Sequence, residues 1–233
     1  MASKPWWKRG HKRIATGFDR ALLFEFDALE EHRSFAANSL SGAIKSLEKK
    51  INQGVDAVDE EDRDAYREHM NEEYITISEV LPRVQWNSQF LVVYATFEHL
   101  LNEICRIVQR RSSFNLSFKD LNGSGIERSK NYLSKVAGVT TPFQTTHWQR
   151  AKLLGEVRNI IAHRNGEVDL PPGNNNCLGA KLSKEKHLVL KKYIPDQDDA
   201  QIILSEKFIK ESISDLRKVL ISIFDYELYE DDS

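Results

Sequence analysis

Residues 83–111 read RVQWNSQFLVVYATFEHLLNEICRIVQRR, and this stretch decides the fold. Its large apolar side chains recur every three or four residues, which is the period of a helix buried along one face. They are Trp86, Phe90, Val93, Tyr94, Phe97, Leu100, Leu101, Ile104 and Val108. The pattern predicts the central core helix of the protein. Its polar side, interpreted as a solvated edge, carries Glu98, His99, Asn102 and Glu103.

The helix is bounded on its N-terminal side by Pro82, which lacks an N–H donor and favours a break or kink there. Upstream, the apolar spacing predicts a helix over 18–51 that Asn52-Gln53-Gly54 ends, followed by an acidic, polar helix reaching Val80. Downstream, the sequence predicts a short helix over 126–137, a helix over 147–164, two hairpin strands over 186–193 and 200–205, and a helix over 206–228.

These elements predict a mainly α fold, a helical bundle with an N-terminal helical extension and a small β-hairpin before the last helix. No dividing linker is visible, so one domain over 1–233 is expected. Within it, 1–17 would be a flexible basic tail, 18–81 the extension and 82–230 the core. Residues 1–13 combine five basic residues with two adjacent tryptophans. That composition suits either stacking on single-stranded bases or a plain soluble terminus.

Composition excludes several classes of protein. The formal net charge of −2 does not suit a polycation that coats nucleic acid, so anionic partners would have to bind local patches. No apolar run approaches 18 residues, which argues against a membrane span. Two cysteines, Cys105 and Cys177, are too few for a disulfide framework. We therefore expect a cytoplasmic protein.

The helix over 147–164 has three faces on a helical wheel. Leu153, Leu154, Val157, Ile160 and Ile161 form its core side. A polar stripe carries Gln149, Lys152, Glu156, Asn159 and His163, and a strip of small residues, Ala151, Gly155 and Ala162, also carries Arg158. Small residues at this spacing let another helix approach closely. Thr146 with Gln149 is predicted to form the capping box, and Asn165-Gly166 the left-handed C-cap.

Arg158, Asn159 and His163 suit phosphodiester cleavage in RNA. Histidine can take the proton of a ribose 2′-hydroxyl, and arginine can hold the scissile phosphate through its fork. Asn159 could orient either group, and the chemistry requires no metal or cofactor. Five residues on a helix separate side chains by about 140°, so a two-fold partner would help to complete the site. Arg150, Lys152 and Arg164 are candidate contacts to the RNA backbone.

The segment Arg158-Asn159-Ile-Ile-Ala-His163 resembles the signature of the HEPN superfamily (higher eukaryotes and prokaryotes nucleotide-binding), and Phe97-Glu98-His99-Leu-Leu-Asn-Glu103 is similar to an earlier helix of such proteins. The resemblance covers roughly residues 83–230. It implies a metal-independent ribonuclease that works as a homodimer and leaves a 2′,3′-cyclic phosphate. It also implies a toxin or antiphage effector restrained by a cognate antitoxin or regulatory protein. One branch carries a modifiable tyrosine two residues after the histidine, where this chain has Asn165.

Other interpretations of the same residues remain open. Arg158 could be a surface salt-bridge partner of Glu156 or Glu127, and His163 a histidine at a helix C-terminus. The alternative function is a non-catalytic helical adaptor that dimerises and binds a nucleotide or protein partner through the same groove. Such an adaptor would neither cleave RNA nor release a product with a cyclic phosphate end.

Overall fold

The computed structural model describes residues 12–112, 115–171 and 173–229 of the 233. The described chain is mainly helical, with one small antiparallel sheet before the last helix, which confirms the predicted fold class. Residues 1–11 lie outside the described part, and with them Trp6 and Trp7 of the basic tail. The remainder of that tail, 12–17, is the start of the first helix.

The first helix, α1 (Lys12–Ala57), is longer than predicted, because Asn52-Gln53-Gly54 does not end it. A Cβ atom on Gly54 would lie 2.1 Å from Cζ of Tyr66, so the glycine leaves room for that ring. Glycine inside a helix costs only about 1 kcal/mol relative to alanine. Tertiary packing against Tyr66 therefore outweighs the local stop signal.

Helix α2 (Arg63–Ile75) leads into α3 (Leu81–Ser112) through a π-helical turn at Thr76–Val80. Pro82 is the second residue of α3, and its missing N–H leaves the Ser78 carbonyl without its α-helical donor. The chain stays helical through the expected break, and Leu81 N–H donates to the Thr76 carbonyl in the wider π pattern. All nine apolar residues predicted for the core face of α3 are buried.

Helix α4 (Gly125–Lys135) follows, and then α5 (Thr146–Arg164). The N-cap of α5 is Thr145, whose hydroxyl accepts from Trp148 N–H at 3.2 Å. The predicted capping box of Thr146 and Gln149 is therefore wrong: the N-cap lies one residue earlier, and the third residue after it is Trp148, which cannot complete a box. The C-cap is confirmed: Asn165 has φ +50° and Gly166 has φ +85°, and Gly166 N–H donates to the Ile160 carbonyl.

The sheet contains the predicted hairpin, β2 (Leu188–Lys191) paired with β3 (Asp199–Leu204), and also β1 (Glu167–Asp169) on the other edge of β3. The order is β1-β3-β2, all antiparallel. Three residues are too few to show alternation in sequence, so β1 could not be predicted. A short helix, α6 (Leu178–Leu182), lies between β1 and β2, and α7 (Glu206–Tyr229) closes the fold.

Contacts divide the chain into two compact units whose boundaries fall inside α1 and α3. The first unit consists of the described parts of 1–29, 91–166 and 210–233; the second consists of 30–90 and 167–209. In the second unit, buried Arg33 pairs with Glu30 and Glu206.

None of the helices in the described residues has the length and apolarity that crossing a bilayer requires.

Candidate active site around helix α5

Helix α5 presents the faces that its sequence predicts. The polar stripe of Gln149, Lys152, Glu156, Asn159 and His163 is exposed along its whole length. On the opposite side Leu154, Val157, Ile160 and Ile161 are buried, and Leu153 is half-buried. The core side fixes the rotation of the helix, so the polar stripe can only face outward.

The small-residue strip of α5 receives a neighbouring helix, and that helix is α3 of the same chain. The Tyr94 hydroxyl donates to the Ala151 carbonyl at 3.3 Å. A Cβ on Gly155 would lie 2.5 Å from the Tyr94 oxygen. Burial raises the pKa of the Tyr94 phenol and the Glu98 carboxylate raises it further, so the hydroxyl stays protonated as a donor. Ala151 and Gly155 are therefore occupied within the chain, and only Ala162 of the strip is exposed.

The Tyr94–Gly155 contact predicts a strong coupling between the two positions. Gly155→Ala should lower the free energy of unfolding by about 1 kcal/mol, because overpacking against a buried ring exceeds the gain in helix propensity. In a Tyr94→Phe background the hydroxyl is gone, and the same substitution should become neutral or stabilising. Urea unfolding of the four proteins measures this coupling. An equal effect of Gly155→Ala in both backgrounds would contradict the contact.

Arg158 is held from three sides in the first unit. One terminal nitrogen, Nη2, donates to Glu98 Oε2 at 2.7 Å, and the other, Nη1, donates to Asn159 Oδ1 at 2.8 Å. Its guanidinium carbon lies 5.9 Å from the centre of the Tyr94 ring. A guanidinium carries five N–H donors, so these two bonds leave three for a ligand. The side chain is about one-third exposed, which keeps those donors within reach of solvent.

Glu98 is the residue that sequence reasoning assigned wrongly, since it was interpreted as part of a solvated edge. Its side chain is only 19% exposed and lies against the start of α4, where a Cβ on Gly125 would be 2.8 Å from Glu98 Oε1. The N-terminus of a helix favours a nearby negative charge. A signal was present in the sequence: Glu98 is one turn after Tyr94, beside the apolar face of α3, where a carboxylate needs a partner.

Arg158 and Glu98 line an open cavity of about 370 Å³. Its wall is built from Tyr94 and Glu98 of α3, the start of α4, and α5, and these lining residues all belong to the first unit. Charged groups in the wall comprise three carboxylates and two cations, namely Glu98, Glu127, Glu156, Lys152 and Arg158. Two contacts neutralise most of this charge, Arg158 with Glu98 and Lys152 with Glu127 at 3.7 Å. The second is exposed and weak, so an incoming anion can displace it.

His163 stands apart from this cavity. It lies in the last turn of α5, is exposed, and makes no hydrogen bond or ion pair within the part of the chain that the structure describes. The residues that line the Arg158 cavity do not include it. One chain thus brings Arg158 and Asn159 together, whereas His163 lies one turn beyond Asn159 on the polar stripe and points about 140° away from Arg158.

The three candidate RNA contacts lie in three different settings. Lys152 lines the cavity beside Arg158. Arg150 is half-buried and points to Asp215 of α7 at 3.7 Å, where His147 also lies. Arg164 is the last residue of α5, exposed and next to His163. Lys152 and Arg164 therefore accompany the two parts of the motif, whereas Arg150 belongs to a separate ion-pair cluster.

Comparison with known proteins found no match to this chain among family models, curated proteins or solved structures. The resemblance to the HEPN superfamily therefore rests on the sequence motif alone.

Proposed function

We propose that this chain is a metal-independent endoribonuclease of the HEPN type, with a composite site formed by two copies. The observation that carries the proposal is the contrast between the two motif residues of α5. Arg158 is fixed by Glu98 and Asn159 at the wall of an open cavity, while His163 is exposed and without a partner in the described chain. Transesterification of RNA requires a fixed cation that stabilises the phosphate and an imidazole that is available to transfer a proton.

In this mechanism the imidazole of His163 takes the proton of the ribose 2′-hydroxyl as its oxygen attacks phosphorus. The bond from phosphorus to the 5′-oxygen breaks, and the imidazolium that His163 has become gives the same proton to that leaving oxygen. Products are a 2′,3′-cyclic phosphate and a 5′-hydroxyl, so no water, oxidant or metal enters the balance. The three remaining N–H donors of Arg158 would stabilise the charge that develops on the phosphate.

The helix geometry supports a site shared between two copies. Arg158 and His163 are separated by a rise of about 7.5 Å and a rotation of about 140° along α5. Each chain therefore offers two half-sites, one with arginine and one with histidine. A two-fold axis beside the end of α5 would place the histidine of one copy opposite the arginine of the other.

Glu98 acts in this proposal as a positioning residue for Arg158. Glu98→Ala should lower kcat/KM for RNA about 10-fold, because an arginine free to move by an ångström misplaces the phosphate. Glu98→Gln should lose less, since an amide oxygen still accepts from the guanidinium. Glu103→Ala is the matched control, because that glutamate also lies on α3 and pairs with an arginine, Arg106, but does not line the cavity, and it should leave the rate unchanged.

The positioning role has its own readout. In an Arg158→Ala background, Glu98→Ala should have no further effect on the affinity for RNA, because the two residues act as one unit. Additive losses would show that Glu98 acts on the fold or on RNA directly, and not through Arg158.

The proposed function is tested by incubating the purified protein with RNA in excess chelator and analysing the product ends. We expect cleavage with 2′,3′-cyclic phosphate termini, a mass of two chains in solution, and no cleavage by a His163→Ala preparation made in parallel. Cleavage that the chelator abolishes, or that both preparations share, would contradict the assignment.

A second candidate is the non-catalytic adaptor, and the charge of the cavity favours it. Three carboxylates against two cations repel a phosphate more than they attract it, and suit a cationic side chain of a protein partner. The adaptor predicts a dimer that binds its partner, produces no cyclic phosphate and is harmless on expression. The cleavage assay separates the two candidates directly.

We further infer that the enzyme acts in the cytoplasm as a toxin or antiphage effector under the control of a cognate protein. Neither Cys105 nor Cys177 forms a disulfide within the described residues, which suits a reducing compartment. Growth arrest on expression, relieved by His163→Ala, is the expected phenotype. Control by modification of a tyrosine two residues after the histidine is not proposed, because that position is Asn165.

A further inference from the structure

We propose that the second unit contains a binding site for a small organic anion with an apolar body, such as an aryl carboxylate. The site is a cavity of about 500 Å³ between the π-helical turn, the start of α3 and strands β2 and β3. This volume is typical of small-molecule sites, and the cavity shares no residue with the Arg158 cavity of the first unit. The proposal does not depend on the ribonuclease activity.

Apolar side chains dominate the wall of this cavity. Trp86 lines the cavity and is buried, while Tyr193 is exposed at its rim. The aliphatic part of the wall consists of Ile75, Val80, Pro82, Ile203 and Leu204. Such a wall can bury a ring or a short acyl chain, and each ångström squared of apolar surface removed from water contributes about 25 cal/mol.

The charged groups at the cavity leave one cation in excess. Lys191 donates to Glu79 at 2.7 Å, so the charges of Lys191 and Glu79 neutralise each other. The Lys191 ammonium also lies 5.2 Å from the centre of the Tyr193 ring. Arg83 is half-buried at the same cavity and makes no hydrogen bond or ion pair within the described chain. A guanidinium in this setting has its fork of donors available for a carboxylate, sulfonate or phosphate.

The π-helical turn gives the cavity its shape. Pro82 cannot donate the α-helical hydrogen bond to Ser78, and the chain widens into a π turn over Thr76–Val80 just before it. Ser78, Glu79 and Val80 of that turn all line the cavity. Single π turns inside helices occur frequently at functional sites. Here the turn brings the Glu79 carboxylate against Lys191, which leaves Arg83 uncompensated.

The lining also selects the class of ligand. A nucleotide base would need hydrogen-bond partners for its edges, and the neutral polar groups of the lining are the hydroxyls of Ser78 and Tyr193 and the indole N–H of Trp86. The Ser78 hydroxyl already donates to the Tyr74 carbonyl at 2.6 Å. A compact apolar body with a single anionic group makes better use of this wall, because it leaves fewer polar groups unpaired.

The test compares two fluorescent probes that share one ring system, the anionic 1-anilinonaphthalene-8-sulfonate and the neutral N-phenyl-1-naphthylamine. The full-length protein should bind the anionic probe about 10-fold more tightly, the usual gain from a hydrogen bond to a charged group. Arg83→Gln should remove that preference, with less than 2-fold effect on the neutral probe, and Arg83→Lys should retain part of it. Arg110→Gln, an exposed arginine of α3 outside the cavity, is the matched control and should behave as wild type.

Tyr193→Ser locates the probes. This substitution should weaken the binding of both probes about equally, because the Tyr193 ring at the rim covers the apolar ring system that the probes share and not the charged group of the anionic probe. Equal affinity of the wild type for both probes, or an anion preference that survives Arg83→Gln in a protein folded by circular dichroism, would overturn the proposal. So would loss of the preference in Arg110→Gln.

Discussion

Replacing His163 with alanine is expected to reduce RNA cleavage about 10³-fold, the usual contribution of a general acid–base group. The structure makes this a clean experiment. His163 is exposed at the end of α5 and has no partner among the described residues, so its removal leaves no cavity and no unpaired polar group. The free energy of unfolding should change by no more than about 0.5 kcal/mol.

The matched control is His99→Ala. His99 is also exposed and without a partner in the described part of the first unit, but it lies on α3 and not on the motif helix. Cleavage rates are measured with defined RNA under single-turnover conditions, and stability by thermal unfolding. Wild-type rates in His163→Ala, or an equal loss in His99→Ala, would remove His163 from the active site.

Mixing two inactive variants, Arg158→Ala and His163→Ala, is expected to restore about a quarter of the wild-type activity. If each site takes its arginine from one copy and its histidine from the other, a mixed dimer has one site without either residue and one complete site. Random exchange makes about half of the dimers mixed, and each of these retains one of two sites. Each variant alone should remain near background.

The mixing experiment requires subunit exchange, which is achieved by unfolding and refolding the two variants together. Activity is then measured at several ratios and should peak at equal amounts. A mixture that stays at background, although mass measurement shows mixed dimers, would mean that Arg158 and His163 of one chain act together. In that case the composite arrangement is wrong even if the ribonuclease assignment holds.

The sequence by itself determined the helices and their faces. The core side of α3 and the three-sided character of α5 follow from apolar spacing, which is strong in long helices because many residues repeat the same signal. The C-cap at Asn165-Gly166 could be predicted from the residue types alone, since few residues accept a positive φ. Local rules failed where a distant residue had the larger effect, as Tyr66 has at Gly54.

Only the tertiary structure decided what the polar residues touch. No spacing within α3 or α5 shows that Glu98 pairs with Arg158, because the two are 60 positions apart and meet through helix packing. The same holds for Tyr94, which fills the space above Gly155, and for Arg83, which the contact between Lys191 and Glu79 leaves as the excess cation at its cavity. Periodicity fixes which way a side chain points, whereas its partner depends on which helices pack together, and that is a property of the whole chain.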